Sequence, residues 1–187
     1  MNWPLLLILL IASALMMLLE WRGVPTTLKL SFKGDVKRET AFLAQWGQSM
    51  ATPLAALIVW QLDPSKRRDA IIMIGAVLTA SVACLALKRL LGRVRPNREH
   101  AGKFLGPSLT HANYRESFPS SHSACAIALS VFLAHLYPPA AITFWGLGIT
   151  TAILRYILDA HFPSDVLGGV AIGYVAAICA LRFAGVA

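Results

Sequence analysis

Six long apolar runs dominate this chain of 187 residues and restrict it to folds that a membrane can hold. The runs cover residues 3–21, 43–62, 69–91, 122–137, 140–158 and 164–186. Each approaches the roughly 20 residues that an α-helix needs to cross a bilayer core of about 30 Å. With 57% of its residues apolar and a mean hydropathy of +0.62, the chain is unlike a water-soluble domain. The sequence therefore predicts an all-α, polytopic membrane protein, a bundle of six transmembrane helices.

The bundle is predicted to be one transmembrane domain covering residues 1–187, because no internal repeat, low-complexity tract or interdomain linker divides the sequence. The first run lacks a basic start and a small-residue cleavage pattern, so we expect a retained helix rather than a signal peptide. The segment 22–42 is basic and moderately apolar. It is either an amphipathic helix on the membrane interface or a solvated connector.

The chain is strongly basic, with 17 lysines and arginines against 9 acidic residues and a net charge of +8. Because few other residues are polar, these charges must crowd into the loops. No basic domain stands clear of the membrane, which argues against a nucleic acid as partner. Membrane lipids with anionic head groups, or a phosphate group, match the charge better. The sequence specifies no oligomeric state.

The first of three polar clusters lies at the end of the third apolar run. Lys88 and Arg95 are seven residues apart, or two helical turns, so both cations lie on one face while the segment stays helical. Pro96 is then expected to end the helix. A single lysine or arginine at a membrane helix end commonly extends to the lipid head groups, which is the alternative for each cation alone.

The second cluster opens the fourth run. Ser120 or Ser121 can cap the start of a helix and leave its first N–H groups free, which forms an anion site. His122 lies in the first turn. Taken alone, the stretch is equally well explained as a helix cap with a histidine beside it.

The third cluster precedes the sixth run. Arg155 ends the fifth run, and Pro163 suits the first turn of the last helix, so His161 is expected just before that helix and Asp165 within its first turn. A carboxylate neighbour would hold the imidazole in one tautomer and make it more basic, as a nucleophile requires. Alternatively, Asp165 only complements the helix dipole and His161 only lies at the interface.

Topology brings the three clusters together. With six crossings, the ends of helices three, four, five and six that carry them all lie on one side of the bundle. Cations, two histidines, a capped helix and a carboxylate therefore converge, which predicts an active site at the membrane interface.

At these residues the sequence resembles the type 2 phosphatidic acid phosphatase family, the PAP2 superfamily, which also includes vanadium haloperoxidases and bacterial acid phosphatases. Its signatures K-x6-R-P, P-S-G-H and S-R-x5-H-x3-D begin here at Lys88, Pro119 and Leu154. Two positions depart from the family pattern. Ser121 stands where the family has glycine, and Leu154 replaces the serine before the third-motif arginine.

The resemblance implies a lipid phosphate phosphatase that works through a phosphohistidine. His161 would attack phosphorus with Asp165 bracing it, and His122 would protonate the leaving alkoxide. The phosphate oxygens would be held by five residues: Lys88, Arg95, Ser120, Ser121 and Arg155. Neither a cofactor nor a metal is expected, because the cations supply the charge that magnesium supplies elsewhere and no carboxylate cluster is present to hold one.

The substrate would be a lipid phosphate or pyrophosphate, such as phosphatidic acid, phosphatidylglycerol phosphate, a polyprenyl pyrophosphate or a lipid A phosphate. Two other functions use the same groups. A phosphate or anion transporter needs buried cations, although near the membrane midplane, and a vanadate-dependent haloperoxidase uses the same anion pocket.

Two arguments about membrane orientation conflict. The resemblance implies a bacterial inner (plasma) membrane protein whose active site faces outward. Of the 17 basic residues, however, only Lys66, Arg67, Arg68 and Arg182 fall on the opposite side of the predicted bundle. The positive-inside rule therefore favours a cytoplasmic site.

Overall fold

Seven α-helices account for nearly all of the regular structure in the part of the chain that the computed structural model describes, namely residues 1–28, 30, 33–48, 50–108 and 113–185. They are α1 (Trp3–Trp21), α2 (Gly34–Leu43), α3 (Ala51–Leu62), α4 (Arg67–Leu91), α5 (Ser121–Leu136), α6 (Ala141–Ile157) and α7 (Pro163–Ala184). Short 3₁₀ turns precede α4, α5 and α6. The fold is therefore all-helical, as the apolar runs predict.

Helix α5 forms the centre of the bundle. It packs against α4, α6 and α7, and nearly every side chain from Ser123 to Leu136 is buried. A helix that is apolar on all sides is stable only where other helices enclose it. The polar start of α5 is consequently held in a fixed position among its neighbours.

The outer helices expose apolar surface instead. Helix α1 packs on α7 yet leaves Leu7, Ile8, Ile11 and Leu15 about half exposed. Such a surface is stable in hydrocarbon rather than in water. Four helices, α1, α4, α6 and α7 with the adjoining 3₁₀ turns, are long and apolar enough to cross a membrane, whereas α3 and α5 are shorter apolar helices. The chain is thus a helical membrane protein with four candidate spans, by length and composition, among the described residues. The expected total of six spans is not confirmed.

The predicted helix over residues 43–62 differs from the structure in its first part. Leu43 ends α2, and α3 begins only at Ala51. Between them Gly47 adopts a left-handed conformation (φ +79°), and a Cβ placed on it would lie 2.5 Å from the backbone nitrogen of Ala126 in α5. This close approach requires a glycine and a turn, which interrupts the apolar run.

Of the segment 22–42, residues 34–42 are helical, within α2, and the side chains of α2 are not buried. Residues 29, 31 and 32 of this segment lie outside the described part of the chain. The helix carries both charged side chains and exposed Val36 and Phe42. The structure thus favours the helical alternative for the second half of this segment.

Candidate active site

One end of the bundle gathers the polar groups that the sequence singles out. Lys88 lies in the last turn of α4 and Arg155 in the last turn of α6. His122 lies in the first turn of α5, and Asp165 lies in the first turn of α7. Since α4 and α6 end where α5 and α7 begin, the topology brings all four to the same place.

Contrary to the prediction from the sequence, Lys88 and Arg95 do not lie on one continuous helix. Helix α4 does not run on to Pro96 but ends at Leu91, because Gly92 takes a left-handed conformation (φ 59°) and its N–H donates to the Lys88 carbonyl. Arg95 is then held beyond the helix, where its backbone N–H donates to the Tyr114 carbonyl at 2.8 Å. The two cations still lie within electrostatic range of each other.

Lys88, Arg95, Arg155 and His161 all lie within electrostatic range of His122. Burial lowers the pKa of the Arg95 guanidinium, as expected for a desolvated cation. The Nε of Arg155 is buried and has no hydrogen-bond partner among the described residues. A buried, unpartnered donor among like charges is a suitable environment for an anion.

His161 is fully buried and faces Asp165 through one ring nitrogen. Its Nδ1 lies 3.7 Å from Asp165 Oδ2, which is beyond hydrogen-bond distance, and has no hydrogen-bond partner in the described part of the chain. Burial lowers the pKa of His161 to about 4, outweighing the opposite effect of Asp165. Asp165 raises the pKa of the ring, as expected, but desolvation is the larger effect and leaves the net pKa below the ordinary value.

Asp165 is held by several donors. Its Oδ2 accepts from the Ser117 hydroxyl at 2.5 Å and from the Phe162 N–H at 2.9 Å. Its Oδ1 accepts from Arg93 Nη1 at 2.5 Å. With Pro163 as the first residue of α7, the helix start fixes this carboxylate beside His161.

Ser120 and Ser121 differ in what they can offer a ligand. Ser120 is the N-cap of α5, and its hydroxyl accepts from the Ser123 N–H at 3.4 Å. Its own N–H donates to the Asp165 carbonyl at 2.9 Å, so the expectation that this N–H binds phosphate is not supported. Ser121 is the first helical residue of α5, where the helix supplies no acceptor for its N–H. Because Ser121 takes an ordinary helical conformation, serine fits this position without strain.

Sequence reasoning missed two charged residues beside Asp165. The side chains of Arg93 and Glu20 are both buried, and Arg93 Nη2 donates to Glu20 Oε2 at 2.7 Å. Glu20 lies in the last turn of α1, far from the three clusters in sequence. The one sequence signal was a carboxylate at the end of an otherwise apolar helix, which is uncommon within a membrane.

The fold and this cluster define a class: a helical membrane protein with a cationic, histidine-bearing site at one end of its bundle. The PAP2 superfamily model matches residues 69–186. The chain therefore belongs to the PAP2 superfamily. Both histidines, Asp165 and the three clustered cations fall within the matched residues, whereas Glu20 lies outside them.

Three similar proteins illustrate the relationship. A protein of Rhizobium etli named lipid A 1-phosphatase is 40% identical over 89 residues, which cover 46% of this chain and 38% of that relative. The crystal structure of Aquifex aeolicus LpxE superposes with a TM-score of 0.65 at 20% identity, covering 81% of this chain and 88% of that one. A transmembrane PAP2-type phosphatidylglycerolphosphate phosphatase of Bacillus subtilis gives a TM-score of 0.63 at 20% identity, covering 97% and 94%. These two structures share the fold.

Proposed function

We propose that this protein hydrolyses a membrane lipid phosphate or pyrophosphate through a phosphohistidine on His161. The observation that carries this proposal is a neutral, buried imidazole backed by Asp165 and facing a cluster of cations with an unpartnered donor on Arg155. Membership of the PAP2 superfamily supports the same chemistry. The match to the Rhizobium etli lipid A 1-phosphatase spans only 38% of that relative, so its activity enters here as a proposal.

Formation of the intermediate follows from the position of the ring. Because Nδ1 faces Asp165, Nε2 is the nitrogen that attacks phosphorus. Lys88, Arg95, Arg155 and the N–H of Ser121 hold the nonbridging oxygens and stabilise their charge in the transition state. The P–N bond forms as the bond from phosphorus to the lipid oxygen breaks. His122, which takes up a proton when the negatively charged phosphate binds among the cations, donates it to that oxygen.

Hydrolysis of the intermediate returns the enzyme to its starting state. His122, neutral after the first step, removes a proton from a water molecule that attacks phosphorus. The P–N bond then breaks, which frees inorganic phosphate and the His161 imidazole. We propose that no metal takes part, because the clustered cations supply the stabilising charge.

The substrate class follows from where the site lies. The polar cluster is at the end of a bundle whose outer helices are apolar, so a phosphate docks at the interface while hydrocarbon chains stay in the membrane. Candidates are phosphatidic acid, phosphatidylglycerol phosphate, a polyprenyl pyrophosphate and a lipid A phosphate. The position of the cations at helix ends also favours a lipid phosphatase over a transporter, because transporter binding sites lie near the membrane midplane.

The proposal is tested by phosphate release from these four lipids with the purified protein in detergent and excess EDTA. Wild type is expected to hydrolyse at least one of them. His161→Asn should reduce turnover to below about a thousandth of wild type, because the nucleophile is lost. The wild-type intermediate should be labile to acid and stable to base, as phosphohistidine is. A His161→Asn variant with wild-type turnover would exclude the covalent mechanism.

A further inference from the structure

A buried ion network ties the first helix of the bundle to the candidate nucleophile's carboxylate. Arg93 is 1% exposed and lies between two carboxylates. Its Nη1 donates to Asp165 Oδ1 at 2.5 Å, and its Nη2 donates to Glu20 Oε2 at 2.7 Å. The guanidinium also lies 4.4 Å from the centre of the Phe162 ring. Arg93 therefore has a single orientation, set from both sides.

Glu20 holds its end of the network through more than one contact. Its side chain is 3% exposed, and its Oε1 accepts from the Ser164 N–H at 3.2 Å. The Ser164 hydroxyl donates to Glu20 Oε2 and also accepts from Arg93 Nη1. The end of α1 is thereby fixed to the first turn of α7, where Asp165 lies.

This arrangement sets the rotation of the Asp165 carboxylate. Arg93 takes Oδ1, which leaves Oδ2 facing His161 Nδ1 at 3.7 Å. Ser117 and the Phe162 N–H also bind Oδ2 but cannot by themselves fix Oδ1. If Arg93 loses its position, the carboxylate is free to turn away from the imidazole.

We propose that Glu20 and Arg93 are positioning residues for Asp165 and, through it, for His161. Helix α1, which lies outside the residues that the family model matches, is then part of the catalytic apparatus and not only a membrane anchor. The inference rests on the proposed function. It deepens that function by adding two residues that touch neither the substrate nor the reacting atoms.

The test compares Glu20→Gln and Arg93→Lys with wild type, on the lipid of the four-member panel that wild type hydrolyses fastest. Glutamine keeps the size of Glu20 but not its charge, and lysine keeps the charge of Arg93 but cannot bind two carboxylates in a fork. Each variant is expected to lower kcat about 10- to 100-fold, since a small misplacement near a nucleophile has effects of this size. KM and the inhibition constant of inorganic phosphate should stay within about threefold, because Lys88, Arg95 and Arg155 are unchanged.

Two further variants separate positioning from folding. Glu20→Asp keeps the charge and should restore kcat to a value between those of Glu20→Gln and wild type. Glu39→Gln removes a carboxylate whose side chain is 65% exposed on α2 and should match wild type. The share of each variant that elutes in the monodisperse peak of size-exclusion chromatography gives the folded fraction. Every kcat is normalised to this fraction.

Wild-type kcat in the folded fraction of Glu20→Gln and Arg93→Lys would overturn the inference. So would equal losses in kcat and in phosphate affinity, because these indicate general damage to the site. Failure of the inference is distinguishable from failure of the proposed function. In the first case His161→Asn is inactive while Glu20→Gln is active, and in the second the wild type releases phosphate from none of the lipids.

Discussion

His161 combines two environmental effects of opposite sign. Asp165 at 3.7 Å favours the protonated ring, whereas complete burial, Arg95 and Arg155 favour the neutral ring. Burial is the largest of these effects and holds the pKa at about 4. At neutral pH the imidazole is therefore uncharged and has a lone pair available for attack. Asp165 raises the pKa of this ring, but by less than burial lowers it.

This gives a prediction for the pH dependence of His161. Since its pKa lies near 4 instead of the ordinary 6.5, the ring should stay neutral as the pH falls from 8 to 5 and take up a proton only near pH 4. Nitrogen NMR of protein labelled at histidine measures this directly, with the signal assigned by its loss in His161→Asn. A titration midpoint between 6 and 7 would contradict the burial argument.

His122 is predicted to act as the general acid, a role that depends on the leaving group. His122→Ala should lower kcat/KM for a lipid phosphate about 100-fold or more, because an alkoxide leaves poorly without a proton. The loss for p-nitrophenyl phosphate should be much smaller, since p-nitrophenolate needs no proton. Parallel assays of both substrates provide the measurement, and equal losses would assign His122 to another role.

At the scale of the helices, the contact between α5 and α7 positions the site. A Cβ on Gly169 would lie 2.4 Å from the Ser120 carbonyl oxygen, and one on Gly173 would lie 2.1 Å from that of Ala124. The two backbones are therefore in direct contact. Gly169 and Gly173 form a G-x-x-x-G pattern, which permits such a close approach of two helices. This contact sets the distance between His122 at the start of α5 and Asp165 at the start of α7.

Gly173→Ala is accordingly predicted to destabilise the bundle. The added methyl meets backbone that cannot move aside, and we expect a loss of about 1–3 kcal/mol in the free energy of unfolding. Thermal unfolding in detergent measures the change as a lower Tm. Gly146→Ala in α6 is the matched control, because a Cβ there meets nothing within 4 Å and alanine favours a helix. Equal Tm values for the two variants would show that the close contact between α5 and α7 does not determine the stability of the bundle.

Sequence alone predicts much of this architecture, for identifiable reasons. Apolar runs mark helices because each helix must be hydrophobic where lipid or another helix covers it, and the motif spacings locate His122, His161 and Asp165. The break at Gly47 escapes prediction because it depends on contact with α5. Glu20 and Arg93 are 73 positions apart in the chain, so nothing local signals their pairing. The hydrogen bond from the Ser120 N–H to the Asp165 carbonyl is likewise a tertiary contact, which local sequence does not reveal.

The whole molecule has two chemically different ends. Lys88, Arg95 and Arg155 lie at the end that carries the site, whereas Arg67 and Arg182 lie at the far ends of α4 and α7. We propose that the protein resides in a bacterial inner membrane with the site facing outward. The greater number of basic residues at the site end argues for the opposite orientation. At least three of those cations are explained by phosphate binding.

The orientation is testable with single cysteines at the two ends. Glu99, with its side chain 90% exposed, lies in the loop at the site end, and Ser65 lies in the turn before α4 at the other end. Glu99→Cys and Ser65→Cys are each introduced with Cys179→Ser, since Cys179 is exposed while the other two cysteines are buried. A membrane-impermeant maleimide applied to intact cells should label Glu99→Cys and not Ser65→Cys. The reverse pattern would place the site in the cytoplasm.

The ion pair between Glu20, in the last turn of α1, and Arg93 restricts how homologous sequences can diverge. A buried arginine without its second carboxylate, or a buried glutamate without its arginine, is costly, so neither residue is easily replaced alone. Positions 20 and 93 should therefore change together across relatives, as an acid with a base or as two uncharged residues. Lineages that lack the first helix should also lack the arginine. An ancestor that gained this pair would have converted a membrane anchor into a part of the enzyme that selection must preserve.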